Sequence, residues 1–175
     1  MDAAAAAFWA TVLGAAIGVV AGAIIQYGVD FLVRRRTEHD QRAALKKEMQ
    51  YNLMVVGDLI TESRNLRNAF NGDLLRDYFG ILGFDRGNFT QSNALLNSGK
   101  LYKWFAVEDL KKLQRIAFLM NPGNANWVAN NIKLRCESSK DPKTYDKGET
   151  GKFIKFIEDQ ISELQVLLNG FTTLL

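Results

Sequence analysis

The chain changes its hydrophobic pattern partway along. From Ala3 to Val33 it reads AAAAAFWATVLGAAIGVVAGAIIQYGVDFLV, apolar on every side of a helix and uncharged from Ala3 to Val29. From Leu45 onward the apolar residues return in steps of three and four: Leu45, Met49, Leu53, Val56, Leu59, Ile60, Leu66 and Phe70, with one longer gap at Ser63. That spacing predicts an amphipathic helix, with Glu38, Asp40, Arg42, Lys46 and Arg64 mainly on its polar face. No proline or glycine lies between Gly28 and Gly57, so the first segment is expected to run into the second without a break. Asn71-Gly72-Asp73 then ends the helix with turn chemistry.

Shorter periodic stretches follow. Leu74–Phe79 reads as a short helical piece, and Gly80, Gly83 and Gly87 as a loop. Thr90–Asn97 reads as a short helix, with Gly99 as the left-handed residue just past its end. Leu110, Leu113, Ile116, Ala117 and Met120 predict a helix from about Val107 to Asn121. Pro122 opens the next as its first residue, running to about Cys136. The polar stretch Glu137–Gly151 reads as an exposed loop, and Lys152–Leu168 as the last helix. Its apolar tail, Phe171, Leu174 and Leu175, is expected to cap the bundle, the alternative being a partner contact. With no long alternating Val/Ile/Thr run, the chain reads as all-α. The expected architecture is an N-terminal transmembrane helix (1–36) continuous with a long helix of a cytoplasmic antiparallel helical bundle (37–175). Trp104, Phe105, Phe118, Trp127 and the phenylalanines, Phe156 of the last helix among them, are expected in its core.

The membrane expectation rests on length and flanks. The uncharged part of the first segment is about 40 Å long as a helix, against a hydrocarbon core of about 30 Å. Phe8 and Trp9 near one end, with Tyr27 and Phe31 near the other, match interfacial aromatic belts. A cleaved signal peptide with a site at Ala21-Gly22-Ala23 is the weaker reading, because Met1-Asp2-Ala3 has no basic n-region. From Arg34 to Lys47 six bases (Arg34, Arg35, Arg36, Arg42, Lys46, Lys47) face two acids (Glu38, Asp40). The positive-inside rule then places the N-terminus outside, the bundle in the cytoplasm, and the basic cluster against anionic headgroups of the cell membrane.

Ala10, Gly14, Gly18 and Gly22 are spaced by four and form one small-residue stripe, the kind that lets membrane helices approach closely. Gln26 and Asp30 extend the row. In a ring of helices they would line a polar mouth, although Asp30 and Arg34 also form a favourable i, i+4 pair.

Composition narrows the chemistry. The 175 residues carry a formal net charge of +3, with 47% hydrophobic and 23% charged residues, as in ordinary globular domains. A single cysteine, Cys136, excludes a disulfide framework and any cysteine-based zinc site. A single histidine, His39, excludes multi-histidine metal sites. Ser98-Gly99-Lys100 lacks the upstream glycine and the following hydroxyl residue of a phosphate loop. No paired carboxylates and no nucleophile–base set stand out. The expectation is therefore no enzyme, no cofactor and no metal. Outside the juxtamembrane cluster the chain is nearly neutral, which argues against nucleic acid.

Glu48 and Asn52 form a Glu-x-x-x-Asn pair on the amphipathic helix. Further on stands Ala94-Leu95-Leu96-Asn97-Ser98-Gly99-Lys100-Leu101, then Asp109-Leu110, Leu113, Ile116 and Asn121 or Asn124. Across most of residues 34–135 this pattern resembles uncharacterised prokaryotic single-pass membrane proteins with a cytoplasmic helical bundle. The resemblance implies that architecture and no activity. Physically, Glu48 and Asn52 lie one turn apart, and they are expected to bond the loop backbone around Ser98-Gly99 as a structural clasp.

The function expected on these grounds is a membrane-anchored, non-enzymatic assembly protein that oligomerises through the glycine stripe and the bundle. The alternatives are an accessory subunit of a larger membrane complex, or a small oligomeric channel or membrane effector.

Overall fold

The computed structural model describes the backbone of residues 3–175 and the side chains of residues 18–175. Its helices are α1 (Ala3–Asn71), α2 (Thr90–Asn97), α3 (Leu101–Trp104), α4 (Val107–Leu119), α5 (Pro122–Ser138) and α6 (Lys147–Thr172). Two 3₁₀ turns, Leu75–Asp77 and Phe84–Arg86, lie between α1 and α2. Among the described residues there is no strand, as the periodicity predicts. The chain divides into two units, Met1–Arg42 and Ala43–Leu175, and α1 contributes to both.

The first unit corrects the membrane expectation. Among the described residues no helix is long and apolar enough to cross a membrane. The described side chains of the apolar segment are those of residues 18–33. Gln26 and Asp30 interrupt it, and Arg34 ends it. The side chains of Phe8, Trp9, Ala10 and Gly14 lie outside the described residues. With the span go the outside N-terminus, the cell-membrane location, the lipid partner, the membrane-complex subunit and the channel. Arg34, Arg35, Arg36, Arg42, Lys46 and Lys47 are exposed side chains on α1, with no bilayer assigned to them.

The second unit is built on buried stripes. On α1 Leu45, Met49, Val56, Leu59 and Leu66 are buried; on α4 Leu110, Leu113, Ile116 and Leu119; on α6 Phe153, Ile154, Ile157, Ile161, Leu164 and Leu168. These are the three-and-four spacings that place side chains on one face of a helix. Fully burying a side chain of this size is worth about 1.5–3 kcal/mol, so the three stripes supply most of the unit's cohesion. Phe70 lies against Gly151, and the Arg67 guanidinium donates to the Glu158 carboxylate (Nε to Oε1, 2.9 Å). Contact positions rise along α1 as they fall along α6, so the two helices are antiparallel. Arg115 on α4 makes a second two-pronged pair with Glu163 on α6, at 2.7 and 2.9 Å.

Helix ends follow local chemistry. Asn121 caps α5 by accepting from the Asn124 amide at 2.9 Å, with Pro122 in the first turn. Asp146 caps α6 in the same way through the Glu149 amide at 2.9 Å. The last helix therefore starts five residues earlier than its apolar periodicity suggests. It also runs further, to Thr172, which carries Phe171 into the core, while Leu175 packs partly against it and Leu174 is exposed. Four aromatics depart from expectation, Phe79, Phe118, Trp127 and Phe156, all of them exposed. Phe118 is exposed because it lies two residues beyond Ile116, on the opposite side of α4, where Arg115 covers its ring. Trp127 is half exposed, edge-on to Phe153 and Phe156.

Candidate functional site

Two places in the second unit concentrate polar or apolar groups beyond what a plain bundle needs. The first surrounds Glu48 and Asn52, which are 5% and 0% exposed. The Glu48 carboxylate accepts from the Gln91 amide at 2.6 Å, from the Ser92 amide at 2.9 Å, and from the Ser92 hydroxyl. Those amides belong to the first turn of α2, where a helix has no internal acceptors to offer. Phe89, at the N-cap position of α2, has no side-chain acceptor. A carboxylate from another helix does that work, at the positive end of the α2 dipole. Asn52 closes both backbone groups of Asn88: its Nδ2 donates to the Asn88 carbonyl at 2.9 Å and its Oδ1 accepts the Asn88 amide at 2.7 Å. The Asn88 side chain in turn accepts from the Thr90 amide and hydroxyl.

The loop held by Glu48 and Asn52 is therefore 88–92, not Ser98-Gly99. The latter two close the other end of α2. The Ser98 hydroxyl donates to the Leu95 carbonyl. Gly99 takes φ +72°, with its amide on Leu96 and the Lys100 amide on Leu95. That is a Schellman stop, and it needs the glycine. Spacing along α1 places Glu48 and Asn52 on one face, but it carries no information on which end of α2 abuts them. Both side chains are bonded inside the fold, Glu48 to two backbone amides and the Ser92 hydroxyl, Asn52 to the Asn88 backbone.

The remaining sequence candidates are not brought together. No atom outside the helix's own backbone comes within 4 Å of where a Cβ on Gly18 or Gly22 would stand. Gln26 and Asp30 are exposed. Among the described residues no three His, Cys, Asp or Glu side chains gather as a metal site.

The second place was not foreseen. Between the Leu75–Asp77 turn and Phe84 the backbone follows no helix, and exposure alternates along it. Tyr78 is half buried, Phe79 is 88% exposed, Gly80 is half buried, Ile81 is 70% exposed and Leu82 is buried. Tyr78 has extended dihedrals (φ −82°, ψ 124°). This segment and α5 form the walls of a cavity of about 350 Å³. Ala129, Ile132 and Cys136 line its α5 side, and Arg76, Lys133, Glu137 and Lys140 stand around it. A volume of about 300 Å³ or more with mostly apolar walls is the usual form of a binding pocket. A second depression, between Asn88 and the α4–α5 junction, is wider and has walls as polar as they are apolar.

Gly80 leaves room for the side chains of Tyr78 and Glu62. A Cβ there would collide with the Tyr78 hydroxyl and lie 2.8 Å from Glu62 Oε2. The Tyr78 ring folds back beneath Gly80, and its hydroxyl lies 3.4 Å from the Glu62 carbonyl, to which it donates. Burial above all, then the neighbouring Glu62 and Cys136, pushes the Tyr78 phenol from 10.0 up to about 12. Burial likewise raises the Cys136 thiol, which keeps it protonated and poorly nucleophilic. The phenol's shift has a stability consequence. A group whose folded pKa is raised stabilises the fold fully below its unfolded pKa and loses that contribution as pH rises through the folded one. The urea midpoint of the wild-type chain should thus fall more steeply between about pH 10 and about pH 12 than that of Tyr78→Phe. Parallel curves for the two proteins would refute the burial of this phenol.

No protein-family model matches the chain, and neither curated proteins nor solved structures give a match. With no family match and no membrane-crossing helix among the described residues, the resemblance to single-pass membrane proteins is withdrawn.

Proposed function

We propose that the Ala43–Leu175 bundle is a non-enzymatic protein-binding module and that it binds through the cavity between Tyr78–Leu82 and α5. One observation carries this reading: Phe79 and Ile81 stand side by side in solvent at the mouth of a largely apolar cavity. Adjacent exposed apolar residues of this size over a concave surface mark sites that bury against another molecule. The buried polar groups support a binding role over a chemical one. Glu48 and Asn52 are held by backbone, and Cys136 is held protonated.

A photo-crosslinking amino acid at position 79 tests this in the cells that make the protein. The expected result is an adduct of defined mass with another protein, lost when Ile81 is changed to Ser. The same probe at exposed Val107, on α4, should give none. No adduct at position 79, an adduct only between two copies, or equal adducts at both positions would defeat the proposal.

A further inference from the structure

The geometry points to the kind of partner: an extended, acidic peptide segment that pairs with the backbone of Phe79–Ile81 and places an apolar side chain in the cavity. This inference rests on the binding reading above and adds two independent observations. The first is the backbone. Among the described residues Phe79, Gly80 and Ile81 make no backbone hydrogen bond, while the flanking Tyr78 amide donates to the Leu75 carbonyl and the Leu82 carbonyl accepts from Phe84. Side chains along the segment alternate with the period of two that an extended strand has. Its backbone groups are left open, and open backbone groups of this kind recruit another chain by main-chain pairing. Main-chain pairing supplies affinity, and a pocket for alternate side chains supplies selectivity.

The second observation is charge. Arg76, Lys133 and Lys140 stand around the cavity against Glu137. Lys133 reaches Glu137 at 4.0 Å, and Arg76 reaches Asp77 at 3.4 Å. Lys140 has no ion-pair partner among the described residues. Lys140 is thus the rim base left for a partner's carboxylate, and an acidic segment with an apolar anchor complements it and the walls. A basic segment would meet the rim with like charge, which selects against it.

Three eight-residue peptides serve as probes, each alternating Leu with Glu, with Gln or with Lys. They are titrated into the full chain, with amide chemical shifts and fluorescence anisotropy as readouts. The acidic peptide should bind most tightly, shift the Phe79, Gly80 and Ile81 amides, and weaken as salt is raised. Lys140→Glu, on an exposed side chain, should weaken the acidic peptide about fivefold and favour the basic one. Equal binding of the acidic and neutral peptides, with no response to Lys140→Glu, would overturn the acidic assignment. Binding that leaves the three amides unshifted would overturn the strand pairing. If none of the peptides binds, the inference fails. The cross-link at position 79 then decides separately whether the binding reading stands.

Discussion

Glu48→Ala is expected to lower the stability of the Ala43–Leu175 unit by about 3–5 kcal/mol, because each donor left without an acceptor in the interior costs about 1–3 kcal/mol. Three donors lose their acceptor together: the Gln91 amide, the Ser92 amide and the Ser92 hydroxyl. Ser92 is itself buried, so water reaches its groups poorly. The first turn of α2 also loses the negative charge at its positive end. Folded domains are stable by only about 5–15 kcal/mol, so the urea midpoint should drop steeply. Glu48→Gln separates shape from charge. The amide keeps one oxygen acceptor but turns an NH₂ toward a backbone N–H, so about half the loss should remain. Hydrogen exchange at Gln91 and Ser92 should speed up in both variants. An unchanged midpoint in Glu48→Ala would show that the carboxylate does not hold the loop.

How much of this was legible in the sequence depended on whether the determinant was local. The buried stripes of α4 and α6 repeat every three or four residues, and the helices lie where that repeat places them. Gly99 could be read because a left-handed residue after a short apolar helix is a local requirement. The start of α6 was missed although its signal was present: Asp146 stands three residues before Glu149, and its carboxylate takes that amide. The polar run Glu137–Gly151 made the stretch read as loop. Glu48 and Asn52 stood out as polar residues on an apolar face, but their partners Asn88, Gln91 and Ser92 are about forty residues away, and periodicity is silent at that range. The cavity left no trace at all. Leu74–Phe79 is apolar enough to read as helix, and only the packing of Tyr78 beneath Gly80 and over Glu62 shows that it leaves the helix and turns Phe79 outward. The membrane expectation failed differently. It used the apolar length from Ala3 to Val33, whereas among the described residues no helix is long and apolar enough to cross a membrane.

The C-terminal tail gives the other large effect. Phe171→Ala should cost about 3–5 kcal/mol, the usual loss for emptying a buried phenylalanine site. Phe171 is fully buried, and its ring packs on Phe105 with centroids 5.0 Å apart at 38°. That pair ties the end of α6 to the residue that ends α3, so removing one ring leaves a void and frees the other. Phe171→Leu retains most of the apolar volume and should lose about 1–2 kcal/mol. Leu174, two residues outside α6 and partly exposed, is the control: Leu174→Ala should move the transition by less than about 1 kcal/mol. Thermal unfolding distinguishes the cases, because about 3 kcal/mol corresponds to about 10 °C in a domain of this size. A tail that served only to dock a partner would give the opposite pattern. Phe171→Ala would then melt with the wild type, and the loss would appear only as weaker association. The ordering Phe171→Ala, then Phe171→Leu, then Leu174→Ala in the free chain is what a cap requires, since a cap contributes whether or not anything is bound.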